Sequence, residues 1–383
     1  MSRTSWYVCL LCILVHLMGC SPPVLDEVSI ELLQDAGEGA TERVFVEELR
    51  DGGEGSTTER APREESVTPD VPVRAQLPWR GITMSCPRNG RIYATEGMDK
   101  DMKEAQGLGA NWISYHPYGR IRNDGQVQKS YDDTWASYPL ATGQKLGMKV
   151  FLIPHLAYWG SRFSWRGEIS FEDEASWKRF FADYTAWIVE LAQHAEAGKA
   201  DLFAVGIEYK KAEHRESDWR AVIEAVRKVY SGKITYAANW DSYKQVPFWD
   251  AVDYIGVQAY FPLSDVTNPS KEDINKGWDK VLQDVGSFAA SKKKQVIFTE
   301  LGYNRSADAA KMPWDYTQGG EFAHEIKLRC METALERLHK PSFLQGVFLW
   351  KWFPDARTES RDFILQYPEM KEVIRASWVK SSP

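Results

Sequence analysis

The chain has 383 residues and a formal net charge of −7, which argues against a nucleic-acid partner, since phosphate binding needs a concentrated excess of Lys and Arg. Its 16 Trp and 17 Tyr exceed ordinary core demand, and flat rings with polar tips suit amphipathic ligands such as sugars. The length accommodates one α/β barrel of about 250 residues with an extension, or two ordinary domains.

The first twenty residues read as a lipoprotein signal peptide: Arg3 supplies the basic end, and Trp6 to Met18 form an apolar run too short to span a bilayer. The run closes on Leu17-Met18-Gly19-Cys20, which resembles the bacterial lipobox. Cys20 is then the lipidated mature N-terminus, and the protein is expected on the cell envelope, at the outer membrane or extracellular surface. An ordinary signal peptide with an incidental cysteine is the alternative, and it too places the protein outside the cytoplasm. Cys9 and Cys12 leave with the signal, so Cys86 and Cys330 remain as two buried thiols, with no disulfide framework and no CxxC metal pair.

Residues 21–76 are rich in Glu, Gly, Thr and Pro and poor in aromatics, a composition that cannot bury enough apolar surface to offset chain entropy. They are expected to form a disordered acidic linker. Ile30 to Gly39 is echoed by Val46 to Gly55, but two copies make no solenoid. The Gly-Glu-Gly steps neither follow a strand nor open a helix, as a phosphate-binding loop must.

From Trp79 the texture changes to short apolar runs alternating with amphipathic stretches. Eight runs predict strands over 81–85, 111–115, 149–153, 202–207, 234–238, 254–258, 296–299 and 347–350; several lack strict alternation, as strands buried on both faces do. Helices are predicted over 175–197, 219–230, 273–290, 322–338 and 370–380. In the first, Phe180, Tyr184, Trp187, Ile188 and Leu191 follow the helical period, and Gly198 stands where a stop is wanted. Repeated βα units over residues 77–383 predict a (β/α)8 TIM barrel as one catalytic domain. A doubly wound open sheet with a small second domain is the runner-up.

Barrel active sites lie at the carboxyl ends of the strands. Those ends are polar and aromatic here: His116 and Tyr118, His155 with Tyr158 and Trp159, Glu208 and Tyr209, Asn239 and Trp240, Tyr260, Glu300 with Tyr303 and Asn304, then Trp350 and Trp352. Glu208 and Glu300 stand out because each ends an almost wholly apolar strand, and burying a carboxylate costs several kcal/mol unless something compensates it. They end the fourth and seventh runs and so face one another across a closed ring. Retaining glycosidases place two carboxyls about 5–5.5 Å apart in this way, one a nucleophile and the other an acid then base. Ordinary salt bridges, Glu208 with Lys210 or Glu300 with Arg305, are the bland alternative.

The segments Val205-Gly206-Ile207-Glu208-Tyr209, Val296 to Tyr303 and Phe348-Leu349-Trp350-Lys351-Trp352 resemble those of glycoside hydrolase family 113, within the retaining clan A. His214-Arg215-Glu216, Trp219-Arg220 and Met312-Pro313-Trp314 add to the likeness, which covers roughly residues 79–378. The resemblance implies hydrolysis of β-1,4-mannan or glucomannan, endo-acting, with Glu208 as general acid/base and Glu300 as nucleophile. The nucleophile must stay ionised, so Glu300 needs donors, for which Tyr260 is placed; the acid must hold a proton, so the pKa of Glu208 is expected to be raised. Trp350 is expected to form the floor beneath the cleaved sugar, and His116, Asn239, Trp159, Tyr209 and Trp352 to contact substrate. One departure stands out: Ile207 occupies the position where many clan members carry the Asn that bonds the sugar 2-hydroxyl, and Asn239 is the substitute candidate.

The sequence holds no HExxH, no Gly-x-Ser-x-Gly, no GxxxxGK[ST] and no zinc spacing, so no cofactor or metal is expected, and His324 and His339 read as ordinary helix residues. The expected partners are a polysaccharide or oligosaccharide and, through the lipid, a membrane; the chain is expected to be a monomer. The competing readings are another β-glycosidase specificity and a non-catalytic glycan-binding barrel lipoprotein.

Overall fold

The computed structural model describes residues 77–86, 90–354 and 363–379. The signal peptide, the lipidation site Cys20 and the linker over 21–76 lie outside the described residues. Eight parallel strands close into the expected (β/α)8 barrel: β1 (Trp79–Met84), β2 (Trp112–Tyr115), β5 (Lys149–Leu152), β7 (Leu202–Ile207), β8 (Lys233–Asn239), β9 (Tyr254–Gln258), β10 (Val296–Leu301) and β11 (Leu344–Trp352), which pairs back onto β1. Each strand is sandwiched between the barrel interior and the outer helices, and this is why a run such as Leu202–Ile207 is buried throughout. The interior is filled by large side chains from several strands, among them Trp112, Phe151, Leu202, Ile297 and Phe348. Gly81 makes room for one of them: a Cβ there would lie 2.2 Å from the Phe348 ring.

The outer layer comprises α1 (Glu96–Gly107), α2 (Asp133–Leu146), α3 (Glu174–Ala197), α4 (Glu216–Arg227), α5 (Lys271–Lys292), α6 (Ala323–Leu338) and α7 (Pro368–Trp378). The last five match the predicted helices within a few residues. Local caps set several starts: the Ser270 side chain accepts from the Asp273 amide while Asp273 reaches back, a capping box at α5. The first two helices were not foreseen. Charged residues interleave the buried Met98, Met102 and Ala105 of α1, and α2 carries Pro139 in its interior, which counts against a helix.

Beyond the barrel mouth, β3 (Tyr118–Ile121), β4 (Val127–Lys129) and β6 (His155–Ala157) form a small extra sheet in the order β4-β3-β6. It arises where β2 and β5 are interrupted by Pro117 and Pro154, which lack the N–H that a ladder requires. Both chains bend there and pair again, Tyr118 opposite His155. Cys86 and Cys330 are buried thiols, neither in a disulfide, as the sequence suggested.

Candidate active site

Glu208 follows directly on β7, and its amide donates to the Ala237 carbonyl at 2.8 Å, the last backbone bond on that side of the strand. Its backbone then turns left-handed, φ 59°, a conformation that costs a non-glycine residue about 1–2 kcal/mol. The carboxylate, in a residue 9% exposed, is gripped from the loop after β6. Arg166 donates from Nη1 to Oε2 at 2.8 Å, and the Trp165 indole donates to the same oxygen at 3.3 Å. These two donors sit on a single 3-10 turn, Arg166–Glu168 and its preceding residue. Gly167 permits the turn, because a Cβ there would meet the Trp165 ring at 2.1 Å. Burial works against the Arg166 guanidinium, yet the neighbouring Glu208 charge leaves its pKa above the ordinary arginine value.

Glu300 lies on β10, 5% exposed. The Tyr260 hydroxyl donates to its Oε2 at 2.7 Å, and His155 Nε2 stands 3.9 Å from Oε1. Thr299 Oγ1 donates to Gln258 Oε1 at 3.0 Å and fixes that amide beside the carboxyl. Burial first, and then the charge of Glu208, push the Glu300 pKa up to about 8, while Tyr260, Gln258 and Arg166 pull it down. This corrects the expectation of an ionised Glu300. The physical reason is the uneven distribution of charge: the single nearby cation in contact sits on Glu208, whereas Glu300 is deeper and has neutral donors only. The Glu208 charge thus adds to burial in favouring a proton on Glu300.

His116 and His155 lie where β2 and β5 break at their prolines, and their rings stack at 4.3 Å and 10°. Burial, and then the Arg166 and Lys351 charges, lower the His116 pKa to about 3; burial, His116 and Arg166 also lower that of His155. Both imidazoles are thus neutral. Trp350 completes the wall, 5.5 Å from His116 and 6.1 Å from His155, and it clusters with Tyr260, Phe363 and Trp240.

Of the residues singled out in the sequence, the structure brings Glu208, Glu300, Tyr260, His116 and Trp350 into one region. Trp159 lies at the rim, 53% exposed and 5.7 Å from Tyr118. Asn239 ends β8, half-buried, with its amide on Asp241 at 2.9 Å. Two expectations are corrected. Tyr209 is fully buried and stacked on Trp219 at 5.5 Å, between barrel and helices; the left-handed turn at Glu208 sends the two neighbours to opposite sides. Trp352 is also fully buried, with Lys371 of α7 above its ring at 5.2 Å. Its register explains this: Ile82 and Met84 of β1 oppose Leu349 and Trp352 of β11, so β11 holds one extra residue and Trp350 and Trp352 lose the common face that a regular strand would give them. Arg166, Trp165 and Gln258 were not identified from the sequence, and His155 was noted only by position.

Against known proteins, the model of Glycoside Hydrolase Family 113 matches residues 88–362. No curated protein sequence gives a significant match. Among solved structures, the GH113 β-mannanase of Alicyclobacillus acidocaldarius in complex with ManMIm is 24% identical, covering 82% of this chain and 99% of its own, with a TM-score of 0.70. A second GH113 β-1,4-mannanase is 22% identical, covering 79% and 99%, also at 0.70. At such identity these likenesses bear on the fold, whereas the family match spans most of the barrel: this chain belongs to glycoside hydrolase family 113 and is a glycoside hydrolase.

Proposed function

We propose that the protein is a retaining β-mannanase, acting within β-1,4-mannan or glucomannan chains, with Glu300 as nucleophile and Glu208 as acid/base. The observation that carries this is the pair itself. Two buried carboxyls end the fourth and seventh barrel strands, close enough that burial and the Glu208 charge raise the Glu300 pKa to about 8. A double displacement uses two such carboxyls, one as nucleophile and one as acid then base, and returns both to their starting state.

In the first step Glu300 attacks the anomeric carbon while the proton passes from Glu208 to the glycosidic oxygen, and the leaving chain departs. The glycosyl ester on Glu300 removes its charge. Glu208, now a carboxylate beside Arg166, takes a proton from water, whose oxygen displaces Glu300 from the anomeric carbon and restores both carboxyls. A substrate hydroxyl donating to Glu300 Oε1 would favour its ionised form, the state that attacks. The β-mannan preference is supported by the family and by the mannanase activities of the structural relatives.

Incubation of the purified protein with β-1,4-mannan, glucomannan, cellulose and xylan tests the reading through reducing ends, product sizes and the anomer first formed. Short manno-oligosaccharides released as the β-anomer are expected. Inversion would overturn the mechanism, release from another glycan alone would change the substrate, and binding without turnover would make the barrel a glycan-binding lipoprotein. The lipid on Cys20 is likewise proposed, on the lipobox-like Leu17 to Cys20; the mass of the mature N-terminal peptide checks it.

A further inference from the structure

Aromatic rings leave the site in a continuous series. Trp350, beside the histidine pair, clusters with Tyr260 and Phe363, and Trp240 packs on that cluster from the end of β8. Trp240 in turn stacks on Trp314 at 5.0 Å and 21°. Trp314 belongs to the loop between β10 and α6 and is 41% exposed. The series therefore starts at the buried carboxyls and ends in solvent.

The outer end is built rather than loose. Asn304, buried, donates its amide to the carbonyls of Asp315 at 3.0 Å and Thr317 at 3.3 Å. The Asp315 amide also bonds the Met312 carbonyl at 3.0 Å, and the Asp315 carboxylate accepts from the Thr317 amide at 2.9 Å. These bonds bracket Trp314 and hold it against Trp240. A rigidly held indole that leaves much of its apolar surface in water costs roughly 25 cal/mol per Å² exposed, and a partner with its own apolar face would recover that energy. A hexopyranose unit is such a partner: its C–H face is apolar and its hydroxyl rim stays in water.

We infer that Trp314, backed by Trp240, is a second sugar-binding position for a neutral hexose unit of a bound glycan, beyond the units that lie at Glu208 and Glu300. This rests on the glycanase reading above. Trp314 belongs to the loop after the seventh barrel strand but stacks on Trp240 at the end of the fifth, the neighbour of the strand that Glu208 follows. A chain that occupies the carboxyl pair and extends along the Trp350, Tyr260 and Trp240 series reaches Trp314, so Trp314 sets which chain lengths are used well.

The test compares the parent with Trp314→Ala and Trp314→Tyr on mannohexaose and on an aryl β-mannoside too short to span the mouth. The ratio of kcat/KM on the long substrate to that on the short one is expected to fall about ten-fold in Trp314→Ala, through KM, and to recover in Trp314→Tyr. An unchanged ratio would overturn the inference. Calorimetry with mannohexaose and cellohexaose in a Glu300→Gln background reads the same position without turnover: tighter hexasaccharide binding with Trp314 present than with Trp314→Ala supports it, and equal binding overturns it. A parent that hydrolyses no glycan would instead overturn the proposed function, so the two failures are distinguishable.

Discussion

Arg166 and Glu208 form an ion pair at 2.8 Å across the barrel mouth, with both side chains largely enclosed. The contact joins the loop after β6 to the end of β7, residues that share no local sequence. An arginine beside a carboxylate lowers the pH at which protons are held nearby, by about 1–3 units for close contact. The Arg166 charge lowers the pKa of Glu300 in this way. In Arg166→Gln the Glu300 proton should persist to higher pH, and the limb of kcat/KM that reports it should move up by about one unit. A pH–rate profile checks this; an altered rate with unmoved limbs would reduce Arg166 to packing.

Glu300 ties activity to stability. Burial and the Glu208 charge raise its pKa to about 8 in the folded chain, against an ordinary glutamate value of 4.5. Between those values the folded state binds more protons than the unfolded one, so stability falls as pH rises through that window. Below about pH 4.5 both states are protonated and the group contributes no slope. Glu300→Gln removes the titration and keeps a group that Tyr260 can still bond. The variant should match the parent near pH 4.5 and exceed it by about 2 kcal/mol at pH 8.5, while losing about 10⁴-fold or more in kcat/KM. Denaturant unfolding at both pH values measures it, and an equal advantage at both would show that the gain does not come from the proton.

The strands were legible in the sequence because burial on both faces removes polar residues from the whole run, as in Leu202–Ile207. Glu208 and Glu300 were legible for the same reason, as charges closing apolar runs. Arg166 was not, since a loop arginine acquires its meaning only when folding sets it against Glu208. Tyr209 and Trp352 misled because position along a strand is a guide to facing only while the backbone stays regular. The left-handed residue at Glu208 and the extra residue in β11 break that regularity at the very ends where the site lies.

Tyr209 gives that correction a measurable form. Its ring packs among Trp219, Tyr184 and Phe180, so removing it opens a cavity in the layer between barrel and helices. Tyr209→Ala should cost about 3–5 kcal/mol, in the range of large-to-small aromatic changes. Activity per folded molecule on short and long glycans should fall by the same factor. A selective rise in KM for long chains would return Tyr209 to the substrate-contacting set.

Gly167 follows the two donors that grip Glu208 and lies against the ring of the first. A methyl group at this position would meet the Trp165 ring at 2.1 Å, closer than any real contact, so the indole must swing away and its 3.3 Å bond to Glu208 is lost. The Arg166 guanidinium makes its own bond to the same oxygen at 2.8 Å and can keep it. Gly167→Ala should therefore lower kcat/KM by about ten-fold, the worth of roughly 1.4 kcal/mol for one hydrogen bond to a charged group. The pH limbs, which depend on the cation, should stay where they are. Arg166→Gln and Gly167→Ala then give opposite signatures, one moving the limbs and the other the height of the profile. If Gly167→Ala moved the limbs as well, the turn would act as a single rigid unit, and the separate contributions assigned to Trp165 and Arg166 would fail.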